Sequence, residues 1–329
     1  MWKQVAVGSL VVLVGGGQAA VASVDLDVSV PSDGQVIRDV HRSLHGEREY
    51  RLYLPPGHSA GDPAPLLVLL HGCTQDADDL ARGTRMDTLA GKRGVVVLYP
   101  EQAPDAHPMR CWNWYEPAHQ ERGSGEVALL AGMVEEVVEA RGLDLARVYL
   151  AGISAGGAMA AVLAANHPEL VAGVGSHSGV PYGAARGLAE AGAVLGGHAE
   201  PPAGKLARAV EEAMGDRARL LPLLVIHGEG DDIVSPRNAR AFEAQWAELI
   251  RSLTGSEAVR KVRSAPAGAA WDGEVIRLQD REGRGWFAGY RVEDLGHAWS
   301  GGSPEGTFTR EGGLDASRLI LDFFLGEGS

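Results

Sequence analysis

The sequence predicts an α/β fold with a mostly parallel central sheet and helices on both faces. Three observations carry that prediction. Short unbroken apolar runs such as Leu66–Leu70 recur along the chain, the pattern of strands covered on both faces. Stretches with helical periodicity alternate with them, as in doubly wound sheets. A glycine-flanked serine, Gly152-Ile153-Ser154-Ala155-Gly156, sits where a strand passes into a helix, the G-x-S-x-G spacing of a turn that projects a hydroxyl.

Taken in order, the chain opens on Met1-Trp2-Lys3, an apolar run over 5–14 and Ala20-Val21-Ala22 before Ser23. This is the form of a signal peptide, expected over 1–22, and the run is too short for a membrane span. An exported protein without a stable membrane anchor follows, periplasmic or extracellular. Residues 23–329 are expected to form one catalytic domain, with its core over about 46–328. Residues 23–47 read as a polar lead-in. The alternation of 48–54 reads as a half-buried strand stopped by Pro55-Pro56. Residues 78–92 read as a single helix leading to an apolar strand at 94–98.

Residues 126–141 carry a helical stripe of Val127, Leu130, Ala131, Val134 and Val138, closed by Gly142. A strand at 147–151 feeds the serine turn. Small residues after Ser154 would let the next helix pack close to the sheet. Short strands are expected at 171–174 and 223–226. Between them, 181–221 reads either as an insertion shaping the site entrance or as a crossover helix with long loops. A helix is expected at 239–250. Residues 274–279 and 286–292 read as a late hairpin, and 315–325 as a closing helix with Leu319, Ile320, Phe323 and Phe324 inward. No repeat, linker or second binding module is legible.

Composition narrows the function. The 329 residues are 45% hydrophobic and carry a net charge of −13. No basic patch points to nucleic acid, and no obligate protein partner, metal or organic cofactor is implied. The two cysteines, Cys73 and Cys111, suggest a disulfide in an oxidising compartment, with two buried thiols as the alternative.

A serine hydroxyl becomes a nucleophile when a histidine takes its proton and an acid orients that histidine. Ser154 is the candidate nucleophile. The acid candidates lie in His227-Gly228-Glu229-Gly230-Asp231-Asp232, just past an apolar strand. Asp231 suits the turn, with Asp232 left as a helix cap or solvent contact. Among eleven histidines, His297 in Leu295-Gly296-His297-Ala298-Trp299 follows the acid in the expected order. His227 reads as structural. Two backbone N–H groups, from Cys73 and Ala155, are the candidate oxyanion donors. Trp112, Trp114, Tyr115 and Trp299 are candidate walls for the substrate, with core filling as the other reading.

His71-Gly72-Cys73-Thr74-Gln75, Arg110 to Tyr115, Ala151 to Met159, Asp231 within His227 to Pro236, and Gly296 to Gly302 together resemble the polyhydroxybutyrate depolymerase family of esterases. The resemblance runs from about Gly46 to the C-terminus. It implies an α/β-hydrolase fold and a serine esterase whose nucleophile, acid and base fall on Ser154, Asp231 and His297. It further implies a polyester or small-ester substrate, with feruloyl and acetylxylan esters as the runner-up class.

Overall fold

The computed structural model describes residues 34–61, 63–265 and 268–326; the expected signal peptide lies outside the described residues. Ten strands form one sheet: β1 (Gln35–Ser43), β2 (Gly46–Leu54), β3 (Leu66–Leu70), β4 (Val96–Pro100), β5 (Val148–Ile153), β6 (Gly173–His177), β7 (Leu223–Gly228), β8 (Val259–Ser264), β9 (Gly273–Gln279) and β10 (Gly285–Val292). Their order is β1-β2-β4-β3-β5-β6-β7-β10-β9-β8. Strands β4, β3, β5, β6, β7 and β10 run parallel, and antiparallel pairs close both ends. A small parallel bridge joins β11 (Trp299–Ser300) to β12 (Thr309–Arg310).

Side-chain alternation sends each apolar strand into two cores. Leu66, Val68 and Leu70 meet helices α3 (Gly125–Arg141), α4 (Ala155–Asn166), α6 (Ala203–Met214) and α7 (Arg237–Thr254). Leu67 and Leu69 face α1 (Ala77–Thr84), α2 (Met86–Gly91) and α8 (Ala316–Leu325). Every residue of α4 is buried. Its run of alanines and glycines, Ala155 to Ala158, lets it sit tightly against β3, β5 and β6.

Where the fold departs from the sequence reading, long-range partners are the cause. The lead-in is partly a strand: β1 is an edge strand, polar because one side meets solvent. Its His41 is buried and holds Glu136 of α3 at 2.5 Å. Strand β2 is buried throughout Tyr50–Leu54 rather than half-buried. Arg51 reaches Asp87 at 2.5 Å and lies over the Tyr99 ring. The expected 78–92 helix is two helices, broken at Arg85 with φ 54°. The Arg85 guanidinium donates to the Gly301 carbonyl at 2.5 Å, which explains the break. Strand β6 begins two residues later than expected and runs on to His177. Residues 181–221 combine both readings. Helix α6 packs as a crossover against α4 and α7, while α5 (Leu188–Leu195) carries Leu195 to the candidate site. The late hairpin is present, and β8, not anticipated, extends it.

Candidate active site

The Ser154 turn is built by close approach. A Cβ on Gly156 would lie 2.1 Å from the Leu70 carbonyl oxygen, and one on Gly152 would lie 2.5 Å from the Gly156 backbone. Only glycine fits either place. Between them Ser154 adopts φ 58°, a strained left-handed geometry of the kind that collects at functional turns. Its N–H donates to the His177 carbonyl at 2.9 Å. The turn puts the serine at the C-terminal end of β5 and Ala155 at the first position of α4.

Two loops bring the candidate acid to the candidate base. A Cβ on Gly228 would meet the Leu295 carbonyl oxygen at 1.9 Å, and Gly230 N–H donates to that carbonyl at 3.1 Å. The β7 turn and the loop after β10 are thereby zipped together. His297 Nδ1 then donates to Asp231 Oδ2 at 2.8 Å. A carboxylate only accepts, so this bond places the proton on Nδ1 and leaves Nε2 to receive one. Asp231 Oδ1 accepts from Ile233 N–H at 3.1 Å and Val234 N–H at 2.8 Å. Burial pushes the Asp231 carboxyl up, but hydrogen bonds from His227 and His297, the His297 charge and the Val234 N–H outweigh it. The carboxyl is held well below the usual carboxylate range. Asp232 is exposed and does not cap α7, whose N-cap is Pro236. His227 Nε2 donates to the Val234 carbonyl at 2.8 Å and stands 3.4 Å from Asp231 Oδ2.

Cys73 and Cys111 are joined in a disulfide. With its ends 38 positions apart in sequence, the closed loop stabilises by about 4 kcal/mol in the chain-entropy model. Neighbouring bonds fix the same loop. His71 Nδ1 donates to the Gly72 carbonyl at 2.7 Å, and His71 Nε2 accepts from Gln102 N–H at 3.0 Å. Gln75 Oε1 accepts from Gly72 N–H at 2.9 Å. Buried Glu126 accepts from the Asn113 N–H at 2.8 Å, beside Cys111. Among the described residues no acceptor meets the Cys73 or Ala155 N–H.

Ser154, Ala155, His297, Gly72 and Cys73 line a single cavity of about 240 Å³. Of the four aromatic residues expected to wall it, only Trp114 does so. Trp112 is fully buried, and its indole N–H donates to the His71 carbonyl at 3.1 Å, bracing the Cys73 loop. Trp299 is buried as well; it donates to Ser317 Oγ at 3.0 Å and stacks on His177. Tyr115 packs edge-on against Trp114. The wall is instead Met109, Val180, Leu195, Ile233, Val234 and Phe308. These are isolated residues on five separate segments, so no local pattern announces them.

Two buried histidines beside the site give a pH prediction. Burial lowers His71 to about 4 and His177 to about 3, against an ordinary 6.5. Both are neutral in the folded protein at pH values where the unfolded chain takes up protons. Their contribution is complete above pH 6.5 and is lost as pH falls from there toward the folded values. Each should cost up to about 1.4 kcal/mol per pH unit in that window. Denaturation midpoints measured from pH 7.5 down to 4.5 should therefore fall steeply below 6.5; a flat profile would contradict neutral burial.

Comparison with known proteins places this geometry. A family model described as Esterase PHB depolymerase matches residues 48–265. A poly(3-hydroxyalkanoate) depolymerase C from Paucimonas lemoignei is 34% identical over 59% of this chain and 46% of its own length. A feruloyl esterase B from Neurospora crassa is 30% identical over 65% of this chain and 73% of its own length. The chain thus spans about half of the depolymerase and about three quarters of the feruloyl esterase. In three dimensions it is similar to an acetyl xylan esterase from Aspergillus awamori, with a TM-score of 0.71 at 20% identity over 88% of this chain and 99% of that one. That likeness gives the fold, an α/β-hydrolase sheet. With the match covering most of the described sheet and the shared depolymerase sequence, the chain belongs to the PHB depolymerase family of esterases.

Proposed function

We propose that this protein is an exported serine esterase that hydrolyses poly(3-hydroxybutyrate)-type polyesters or their oligomers through an acyl-enzyme on Ser154. The observation that carries the reading is the hydrogen-bonded Asp231–His297 pair opening, with Ser154, into one apolar cavity. His297 Nε2 takes the Ser154 hydroxyl proton as Oγ attacks the ester carbonyl carbon. The oxyanion that forms is held by the Cys73 and Ala155 N–H groups. Collapse breaks the bond to the alcohol oxygen, which leaves with the proton from His297. Water then attacks the acyl-enzyme with His297 again as base, and the acid product departs as Ser154 regains its proton. Asp231 stays ionised and steadies the imidazolium. Export is supported by the signal-like start and by the Cys73–Cys111 disulfide.

A feruloyl or acetylxylan ester is the second reading, favoured by the likeness to the feruloyl esterase from Neurospora crassa. The apolar wall, without a cluster of polar groups to meet sugar hydroxyls, favours the polyester. Purified protein should clear a poly(3-hydroxybutyrate) suspension and release 3-hydroxybutyrate. Faster release of ferulate from methyl ferulate, with no clearing, would assign the site to the second class.

A further inference from the structure

Phe308 stands on backbone that a bulky residue seldom adopts, with φ 48°. Both flanks are pinned. Before it, Thr307 N–H donates to Asp79 Oδ1 at 2.9 Å, and the Thr307 carbonyl accepts from Gln75 Nε2 at 3.0 Å. After it, the Phe308 carbonyl accepts from Trp299 N–H at 2.7 Å, and Thr309 Oγ1 donates to the Ser303 carbonyl at 2.6 Å. None of these bonds uses the aromatic ring. The residue remains 40% exposed, so core burial is not what holds it there. What the conformation achieves is placement. The ring lines the cavity and stands edge-to-face with the His297 imidazole, centroids 6.2 Å apart at 77°. An unfavourable conformation enforced from both sides, whose ring packs on the site and not in the core, marks a position kept for what its side chain does there.

We propose that Phe308 is a specificity-determining residue: its ring narrows the cavity beside His297, admitting a slender aliphatic acyl group and turning away a planar aromatic one. This deepens the esterase reading at Ser154 and rests on it. The size of the cavity, about 240 Å³, and its otherwise mostly aliphatic wall agree with a short acyl unit. Gln75 extends the logic. One amide ties Gly72 beside Cys73 to Thr307 beside Phe308, so the candidate oxyanion loop and the selecting ring share one anchor.

The test compares Phe308→Ala and Phe308→Gly with the wild type on methyl butyrate and methyl ferulate, which share a leaving alcohol, alongside thermal melts. In both variants the ratio of kcat/KM for ferulate to that for butyrate should rise about ten-fold or more, the scale of steric discrimination in an apolar pocket. Phe308→Gly should also melt a few degrees above Phe308→Ala, because glycine alone relieves the left-handed backbone. A ratio that stays put or falls in an active variant overturns the proposal. So do rates that drop in parallel for both esters, or a glycine variant no more stable than the alanine one. Wild-type protein that turns over neither ester would overturn the Ser154 reading and this one with it, whereas an unmoved ratio in active enzyme overturns this one alone.

Discussion

Replacing Ser154 with alanine should lower kcat for p-nitrophenyl butyrate by about 10⁶-fold, the scale of losing a nucleophile that works as a unit with its base. The hydroxyl is the only reacting group the substitution removes. Alanine is no better suited than serine to φ 58°, so the turn keeps its strain and the melting temperature should change little. The cavity wall is untouched, and KM should stay within a few-fold. Any residual rate would come from the Cys73 and Ala155 donors acting on a bound ester attacked by water. A variant retaining more than about one hundredth of wild-type kcat, far above that residue, would sink the mechanism.

Asp231→Asn should cost about 10⁴-fold in kcat, by a route that the hydrogen bonds define. Ile233 and Val234 N–H groups already point at Oδ1. An asparagine there must turn its amide oxygen toward them, which aims its NH₂ at His297 Nδ1. Both groups would then be donors unless the imidazole moves its proton to Nε2. In that tautomer His297 cannot accept from Ser154. The substitution is isosteric, so the fold should survive and the loss should fall on kcat rather than on folding. Asp232→Asn is the control: that residue is exposed, and its kinetics should match the wild type. Comparable losses in the two variants would show that the acid had been wrongly placed.

The sequence made the proposed reacting groups legible because each lies in a short motif tied to a strand end. Ser154 has its two glycines, Asp231 follows the β7 run at once, and His297 has Gly296 before it. The apolar strands were equally plain, since burial on both faces leaves unbroken runs such as Leu66–Leu70. What stayed hidden depends on partners distant in the chain. Whether Trp112 and Trp299 wall the site or fill the core is decided by their indole N–H partners, the His71 carbonyl and the Ser317 hydroxyl. The break at Arg85 answers to a carbonyl 216 residues away. Strand β1 is polar because it is an edge, and its alternation is too weak to read alone. Phe308 carries no motif; only its backbone angle and its neighbours distinguish it.

The outermost strand, β8, has a consequence for the protein in concentrated solution. All six of its residues are exposed, and Val259 and Val262 point apolar surface outward. An edge of this kind offers unpaired backbone groups as a template for another chain. Arg260 and Lys261 lie between the valines and Arg263 follows them, so two copies approaching edge to edge bring like charges together. Arg260 is already paired with Glu243, so Lys261 and Arg263 are the charges that disfavour edge-to-edge pairing at this end of the sheet.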